Sequence, residues 1–279
     1  MKTLGYYNGR IDEIANMTVP MTDRSHWFGD GVYDAGLCRH QHLFALDEHV
    51  DRFFRSAAAL EIEMPLTKDA LKSLLQELVK KMDDDELFAY YSVTRGGALR
   101  QFCFQPEKAN LLVTLTPRKV NDGKIAVKLI TTEDTRHLHC DVKTLNILPS
   151  VMASERAKRA GAHESVYYRA GCRVTEGAHS NVHIIRGGTL ITAPLDNLIL
   201  PGIARAHLLA ACKRLGIPVE ERPYMLDELF AADEVLVTSS SNLCLHAYEI
   251  DGRPVGNRLP ELYESIRAEI IGEYLRETE

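Results

Sequence analysis

The feature that most constrains the fold is an irregular mixture of helix and strand patterns along 279 residues. Residues 67–82, TKDALKSLLQELVKKM, repeat apolar side chains at helical spacing behind Thr67, a suitable N-cap. LDEHVDRFFRSAAALEI predicts a second amphipathic helix, while FAYYSVTRG and NLLVTLTP predict strands. A regular βαβ repeat does not follow, which argues against a TIM barrel or a doubly wound sheet. We therefore expect an α+β fold.

A polar stretch, TPRKVNDGK, interrupts these patterns and is typical of a linker. It predicts a smaller N-terminal domain over residues 1–118, a linker over 119–123 and a larger C-terminal domain over 124–279. The second half is rich in strand patterns, namely KIAVKLITT, ESVYYRA, VTEGAHSNVHII, TLITAP and ADEVLVTSSSN. GIARAHLLAACKRLG and LPELYESIRAEIIGEYLRE predict its helices.

Charge and cysteine usage exclude several classes of function. A net charge of −6 with scattered basic residues gives no general attraction for nucleic acid, which is not an expected partner. The start lacks the apolar stretch of a signal peptide, and no run is long enough to cross a bilayer, so no membrane association is expected. Six cysteines without a CxxC pair suggest neither disulfides nor a zinc ribbon, which favours the cytoplasm. His137 and His139 lack placed carboxylates, so no metal is expected.

The segment CDVKTLNILPS, residues 140–150, sets Lys143 between Val142 and Leu145 and two positions after Asp141. An ordinary lysine in such a place sends its ammonium group to solvent along an apolar surface. The alternative is a lysine that forms a Schiff base, because burial and cationic neighbours lower the amine pKa and expose a nucleophile. The segment alone leaves both interpretations open.

Four further segments suit a phosphorylated, electron-withdrawing aldehyde. Glu176 in VTEGAHSN ends a strand pattern and can keep a pyridine nitrogen protonated. LPGIARAHLLAA opens a helix whose N–H groups at Ile203 and Ala204 can receive a phosphate. TSSSN offers hydroxyls and turn amides for an anion, and Arg52 in DEHVDRFF can grip phosphate oxygens. Taken singly, each is also compatible with an ordinary turn, helix start or exposed arginine.

Taken together, these segments resemble the fold type IV pyridoxal-5′-phosphate (PLP) enzymes, which include D-amino acid aminotransferases, branched-chain aminotransferases and aminodeoxychorismate lyases. The resemblance covers nearly the whole chain through DRSHWFGDGVYD, LDEHVDRFF, CDVKTLNIL, VTEGAHSNV, LILPGIAR and EVLVTSSSN, in that order. It implies the two-domain fold type IV architecture, PLP as cofactor, and a homodimer with the active site between the two domains and a loop from the neighbouring subunit closing over the substrate.

The resemblance also implies roles for individual residues. Lys143 would be the Schiff-base lysine, Glu176 the partner of the pyridine nitrogen, and Leu200 a neighbour of the ring. The implied phosphate-binding residues are Arg52, Ile203, Ala204, Ser239 and Ser240. The family usually carries threonine where this chain has Ala204, so only the backbone amide can serve at that position.

The overall pattern looks most like the D-amino acid aminotransferases, in which the counterparts of Tyr33, Tyr90 and Arg100 bind the substrate carboxylate. The expected activity is transfer of the amino group of a D-amino acid, such as D-alanine, to a 2-oxo acid, such as 2-oxoglutarate, by a ping-pong mechanism. One position departs, because Phe102 stands where that group commonly has histidine. This change is compatible with weaker carboxylate binding, with a shifted substrate range, or with a role for another cation, Arg24 or His26.

Other activities on the same scaffold stay open at this point. They are those of an aminodeoxychorismate lyase, a branched-chain L-amino acid aminotransferase and an (R)-amine transaminase, because PLP supports several reactions on similar scaffolds. A PLP-binding protein that no longer catalyses is a further alternative, which the intact Lys143 and Glu176 disfavour.

Overall fold

The computed structural model describes residues 1–105 and 107–279, and the chain divides into two compact units. The first contains Met1–Val120, Val142–Asn146 and Leu275–Glu279, and the second contains Asn121–Asp141 and Ile147–Tyr274. The division after Val120 falls inside the expected linker. The units differ from the expected domains in two short segments, and one of them carries Lys143. Lys143 lies in the first unit, and its segment pairs with a strand of that unit.

The first unit is built on an antiparallel sheet with the strand order β2-β1-β6-β5-β3-β4. Its strands are β1 (Leu4–Tyr7), β2 (Arg10–Asp12), β3 (Gly31–Arg39), β4 (His42–Leu43), β5 (Glu86–Thr94) and β6 (Asn110–Pro117). Its helices are α1 (Arg24–Phe28), α2 (Leu46–Ala59) and α3 (Lys68–Val79), with a 3₁₀ turn at Ile14–Asn16.

Helices α2 and α3 bury apolar stripes in the core of this unit. The buried residues of α3 are Leu71, Leu75, Leu78 and Val79, which the helical spacing predicts. Thr67 caps this helix as predicted, since its Oγ1 accepts a hydrogen bond from the N–H of Ala70 at 3.2 Å. The buried side of α2 carries polar groups as well as apolar ones. That polar part of α2 is where functional residues lie.

The second unit is built on a mixed sheet. Its elements are β7 (Val127–Glu133), α4 (Leu148–Arg159), β8 (Glu164–Arg169), β9 (Arg173–Gly177), β10 (Asn181–Arg186), β11 (Thr189–Thr192), α5 (Ile203–Arg214), β12 (Val219–Glu221), β13 (Tyr224–Met225), α6 (Leu226–Phe230), β14 (Glu234–Ser239), β15 (Leu243–Ile250), β16 (Arg253–Pro254) and α7 (Pro260–Glu277) as far as Tyr274. A 3₁₀ turn, Ala170–Cys172, joins β8 to β9. The strand order is β12-β11-β10-β14-β15-β7-β8-β9-β13, with β16 paired to β15.

The segment VTEGAHSNVHII forms two strands, β9 and β10, joined by a tight turn. The carboxylate of Glu164 organises this turn by accepting from the N–H of His179 at 2.6 Å and from the hydroxyl of Ser180 at 2.8 Å. The N–H of Gly177 also donates to the carbonyl of Ser180 at 2.8 Å. The turn sets Glu176 at the end of β9.

Two parallel pairs, β7 with β8 and β11 with β12, are each joined through a helix, α4 and α5. The other pairings do not continue this arrangement as a regular βαβ repeat, and the expected α+β class is confirmed. Within residues 1–105 and 107–279, no helix is both long and apolar enough to span a membrane.

Candidate active site

Lys143 is anchored through its backbone to β3. Strand β4 pairs with the far end of β3, and the segment carrying Lys143 pairs with the near end. The N–H of Tyr33 donates to the carbonyl of Lys143 at 3.0 Å, and the N–H of Leu145 donates to the carbonyl of Gly31 at 3.0 Å. The N–H of Lys143 donates to Ser56 Oγ of α2 at 3.2 Å. Two backbone–backbone hydrogen bonds and one to a side-chain hydroxyl therefore fix the origin of the lysine side chain.

The amine of half-buried Lys143 lies over an aromatic pair. Its Nζ is 4.4 Å from the ring centroid of Tyr33, and the Tyr33 ring stacks on Tyr90 with centroids 5.4 Å apart. Burial raises the pKa of Tyr90, so its phenol stays neutral. The structure therefore brings together three residues that the sequence assigns to the site, and cation–π attraction holds the amine close to the Tyr33 ring.

Arg52 is buried on α2 and bound to a carboxylate that the sequence analysis did not single out. Its Nε and Nη2 donate to Asp34 Oδ2 and Oδ1, both at 2.8 Å. His49 Nδ1 lies 2.7 Å from Asp34 Oδ1, and Gly36 leaves room for the imidazole. Burial would raise the pKa of Asp34, but the Arg52 guanidinium and the hydrogen bonds outweigh it and hold that pKa well below its usual range. This charge-assisted fork fixes the orientation of Arg52.

Burial also lowers the pKa of His49, against the opposing effect of the Asp34 carboxylate. The imidazole is therefore neutral near pH 7, and Nδ1 donates its proton to the carboxylate. DGVYD and DEHVDRFF contain Asp34 and His49, but no spacing rule links residues on a strand to residues on a helix that follows it.

Glu176 is a buried carboxyl group of the second unit. Its Oε1 accepts from Arg136 Nη1 at 2.8 Å, and its Oε2 accepts from the N–H of Leu200 at 2.8 Å and from Asn181 Nδ2 at 3.2 Å. Burial raises the pKa of Glu176 to about 7, although the Arg136 guanidinium and the Leu200 N–H lower it. A carboxyl group with a pKa of about 7 ionises readily when a further cation approaches it.

Arg136, in the loop after β7, is a further residue that the sequence analysis did not single out. Its Nε and Nη2 donate to Asp134 at 3.0 Å, and Arg169 Nε donates to the same carboxylate at 3.0 Å. The guanidinium also lies 4.4 Å from the ring centroid of Tyr167. Asp134 and Tyr167 therefore hold Arg136 in the position from which it reaches Glu176. The spacing of Asp134 and Arg136, two residues apart, is the sequence signal for this pair.

Helix α5 begins beside the carboxyl group of Glu176. Asn181 Nδ2 donates to the carbonyl of Leu200 at 3.0 Å, and a Cβ at Gly202 would overlap Asn181 Oδ1. Within the described part of the chain, no side chain caps the N-terminus of α5. Its first two residues, Ile203 and Ala204, are buried. The first N–H groups of a helix lack intrahelical partners and attract anions. Helix α5 thus begins where the sequence predicts a helix start.

Strand β14 leads to the two predicted serines. Thr238 Oγ1 lies 2.9 Å from His183 Nε2, and His183 Nδ1 lies 2.8 Å from Thr192 Oγ1, which ties β14 to β10 and β11. Burial lowers the pKa of His183 to about 3, so this imidazole is neutral. Ser239 and Ser240 follow directly at the end of the strand and in the turn after it. A neutral hydrogen-bonded ladder therefore fixes the position of the serines.

Arg100 packs its guanidinium against two phenylalanine rings. Its guanidinium is 5.5 Å from the ring centroid of Phe28 and 5.4 Å from that of Phe102. Among residues 1–105 and 107–279, none of its ring contacts is to Tyr33 or Tyr90. In the same part of the chain, no three His, Cys, Asp or Glu side chains are grouped as metal ligands.

Comparison with known proteins gives the family. A family profile described as Amino-transferase class IV matches residues 31–250. The D-alanine aminotransferase of Bacillus licheniformis is 36% identical over 282 residues, covering 100% of this chain and 99% of that protein. The D-alanine aminotransferase of Listeria monocytogenes serotype 4b is 36% identical over 275 residues, covering 95% of each chain. The chain therefore belongs to the class IV aminotransferases, and the resemblance to fold type IV enzymes is confirmed.

Solved structures agree on the fold. The branched-chain amino acid aminotransferase of Escherichia coli superposes with a TM-score of 0.90 at 21% identity, covering 100% of this chain and 96% of that one. The branched-chain aminotransferase of Thermoproteus uzoniensis gives a TM-score of 0.88 at 24% identity, covering 98% and 96%.

The residues present suit the cofactor of this family, PLP. A half-buried amine at Lys143 suits its aldehyde, and a buried carboxyl group with a raised pKa at Glu176 suits its pyridine nitrogen. An uncapped helix N-terminus at Ile203 suits a phosphate.

The raised pKa of Glu176 predicts a pH-dependent stability in protein freed of cofactor. Because the folded-state pKa of about 7 exceeds the ordinary value of 4.5, folding favours the protonated carboxyl group. This contribution is fully present below the unfolded pKa and is lost as the pH rises through the folded one. Between about pH 5 and about pH 8, the free energy of unfolding of the wild type should fall by about 3 kcal/mol more than that of Glu176→Gln does.

Denaturant titrations at several pH values measure this difference. Glu234→Gln is the matched control, since Glu234 is a buried carboxylate that accepts from the N–H groups of Asn257 and Leu259 at 3.1 and 2.8 Å. Parallel pH profiles for the wild type and Glu176→Gln would contradict the assigned pKa.

Proposed function

We propose that the protein is a PLP-dependent aminotransferase that moves the amino group of a D-amino acid, such as D-alanine, to a 2-oxo acid, such as 2-oxoglutarate. The observation that carries the proposal is the anchored Lys143, whose amine lies 4.4 Å from the Tyr33 ring centroid. Support for the D-amino acid comes from D-alanine aminotransferases that are 36% identical over the full length of this chain. Amino acids and 2-oxo acids are thus the small-molecule partners.

Lys143 has two tasks in this proposal. Its amine would hold the cofactor covalently and, as a free amine, would take the proton from the substrate Cα and pass it to the cofactor carbon. Bound PLP supplies an electron-withdrawing ring that accepts the electron pair left at Cα. The Tyr33 ring and the fixed Lys143 backbone limit the positions that the amine can occupy. Such restriction favours proton transfer at one face of Cα.

Glu176 would hold the proton on the pyridine nitrogen. Its carboxyl group is buried away from solvent, so a protonated ring nitrogen would stabilise its charge and lower its raised pKa. Arg136 and the Leu200 N–H orient the two oxygens. Leu200 itself would lie against the ring.

The phosphate would be bound by Arg52, by the N–H groups of Ile203 and Ala204, and by Ser239 and Ser240. Asp34 keeps the Arg52 guanidinium in one orientation, which reduces the entropy lost on binding. Tyr33, Tyr90 and Arg100 are the proposed ligands of the substrate carboxylate.

The activity is tested by mixing the purified enzyme and PLP with D-alanine and 2-oxoglutarate. We expect equal amounts of pyruvate and glutamate, and much slower turnover with L-alanine, because Lys143 serves one face of Cα. Rapid turnover of L-amino acids with no pyruvate from D-alanine would contradict the proposal. Pyruvate released from aminodeoxychorismate without an amino acceptor would instead indicate the lyase.

We also propose that the protein works as a homodimer and that α4 contributes to its interface. Leu148, Val151 and Met152 share one side of this helix and are 70%, 51% and 50% exposed. Contiguous exposed apolar side chains are typical of protein–protein contacts. We propose a second copy of this chain as the partner of this surface, because the resemblance to fold type IV enzymes implies a homodimer.

Sedimentation velocity tests the interface. Met152→Glu would place a charge among the apolar side chains of α4, and we expect the dimer to dissociate at micromolar concentration. Leu195→Glu is the matched control, because Leu195 is 56% exposed in the same unit. A wild type that sediments as a monomer, or a Met152→Glu variant as dimeric as the control, would contradict this interface.

The cytoplasm is the location that we propose, because the spacing of the six cysteines suggests no disulfide framework. Fractionation of cells that express the full chain tests this assignment, and recovery of the protein outside the cytoplasmic fraction would contradict it.

A further inference from the structure

The loop that carries Arg100 is held by a buried arginine. Arg24 is 3% exposed, and its Nη1 donates to the carbonyls of Gln101 at 2.7 Å and Cys103 at 3.4 Å. Its Nη2 donates to the carbonyl of Phe102 at 3.4 Å, and its Nε donates to Asp30 Oδ2 at 2.7 Å. One guanidinium therefore binds three consecutive carbonyls directly after Arg100. With its donors so engaged and its side chain buried, Arg24 is poorly placed to bind a substrate itself.

Asp30 links this contact to a second one on the same loop. Its carboxylate also accepts from Arg95 Nε at 3.0 Å, and Arg95 donates to the carbonyls of Leu60 and Glu61 at 2.6 and 2.8 Å. The Arg95 guanidinium lies 3.5 Å from the ring centroid of Phe104. A single carboxylate, 10% exposed, thus orients two arginines. One of them contacts the loop backbone and the other contacts a loop side chain.

Two aromatic rings connect Arg24 to Arg100. The Phe28 ring centroid is 4.8 Å from the guanidinium of Arg24 and 5.5 Å from that of Arg100. The Phe102 ring lies 5.5 Å from the Phe28 ring and 5.4 Å from the Arg100 guanidinium. Because Phe102 is 78% exposed, burial does not hold this ring in place, and its position depends on these neighbours and on its backbone.

Arg100 is exposed and has a charge that these contacts do not neutralise. Over the described ranges, 1–105 and 107–279, its contacts are with the two rings and not with a carboxylate. Aromatic rings attract a guanidinium through its charge without using its N–H donors in hydrogen bonds. Those donors remain suited to both oxygens of a carboxylate.

We propose that Arg24 is a positioning residue, which fixes residues 101–103 and the Phe28 ring so that Arg100 is oriented to bind the substrate carboxylate. In this arrangement Phe102 supports the guanidinium of Arg100 and takes the place of a polar ligand. His26, which is exposed, has no part in it. The inference rests on the proposed function and adds how this chain binds a carboxylate with phenylalanine at position 102.

The test is a double-mutant cycle in the holoenzyme with Arg24→Met, Arg100→Met and the double variant. We expect Arg24→Met to raise the KM for D-alanine about tenfold while kcat changes less than about threefold, because an oriented charged hydrogen bond is lost in binding. In the Arg100→Met background, Arg24→Met should raise the KM no further, since its effect passes through Arg100.

Conservative and control variants separate this role from general damage. Arg24→Lys should behave as Arg24→Met, because one ammonium cannot bind Asp30 and three carbonyls at once. Arg118→Met is the matched control, as Arg118 also lies over an aromatic ring, Phe88, at 5.1 Å. It should leave the KM unchanged.

The outcomes decide between the two proposals. If the wild type transfers amino groups from no D-amino acid, the proposed function fails. If the wild type is active and Arg24→Met keeps its KM, or raises it equally with and without Arg100, the positioning role is wrong. Should Arg24→Met fail to bind PLP or to fold, Phe28→Leu removes the connecting ring and leaves the hydrogen bonds of Arg24 intact. The same rise in KM is then expected, and an unchanged KM would overturn the inference.

Discussion

The site depends first on a short stretch of backbone pairing, in which the segment around Lys143 is held against the near end of β3. The N–H of Tyr33 and the carbonyl of Lys143 share a hydrogen bond of 3.0 Å, so the lysine and the aromatic ring beneath its amine are set by the same contact. Gly31 is required here, because a Cβ would lie 2.6 Å from the carbonyl oxygen of Val93. The backbone thus determines where the Lys143 side chain starts, and this limits where its amine can lie. The flexible four-carbon side chain alone would not restrict the amine in this way.

In both units, buried charges orient the other functional groups. Asp34 holds Arg52, Asp134 holds Arg136, and Asp30 holds Arg24, each through charge-assisted hydrogen bonds of 2.7–3.0 Å. An unpaired buried charge is costly, so each carboxylate needs its arginine and each arginine keeps one orientation. Glu176 differs from these three, because its pairing leaves the pKa raised to about 7. Its raised pKa marks Glu176 as the carboxyl group suited to bind a further cation.

The sequence predicts the parts of this structure that follow local rules. Periodicity predicts α2, α3, α5 and α7, and the cap at Thr67 is confirmed. The motifs also gave Lys143, Glu176, Ile203 and Ala204 as candidates. Glu176 lies on a predicted strand, and Ile203 and Ala204 lie on a predicted helix. The pairing of the Lys143 segment with β3 is different, since it joins distant parts of the chain through backbone atoms and leaves no pattern in residue types. For the same reason the sequence names Arg52 but not Asp34 or His49, whose roles depend on how a helix packs on a sheet.

The most direct test of this account asks which residue carries the cofactor. Borohydride reduction of the wild-type protein loaded with PLP, followed by peptide mass spectrometry, should find the phosphopyridoxyl group on Lys143. A Lys143→Ala variant should bind PLP without a covalent bond and lose transamination. Covalent labelling of another lysine in the wild type, or normal amino-group transfer by the alanine variant, would contradict the account.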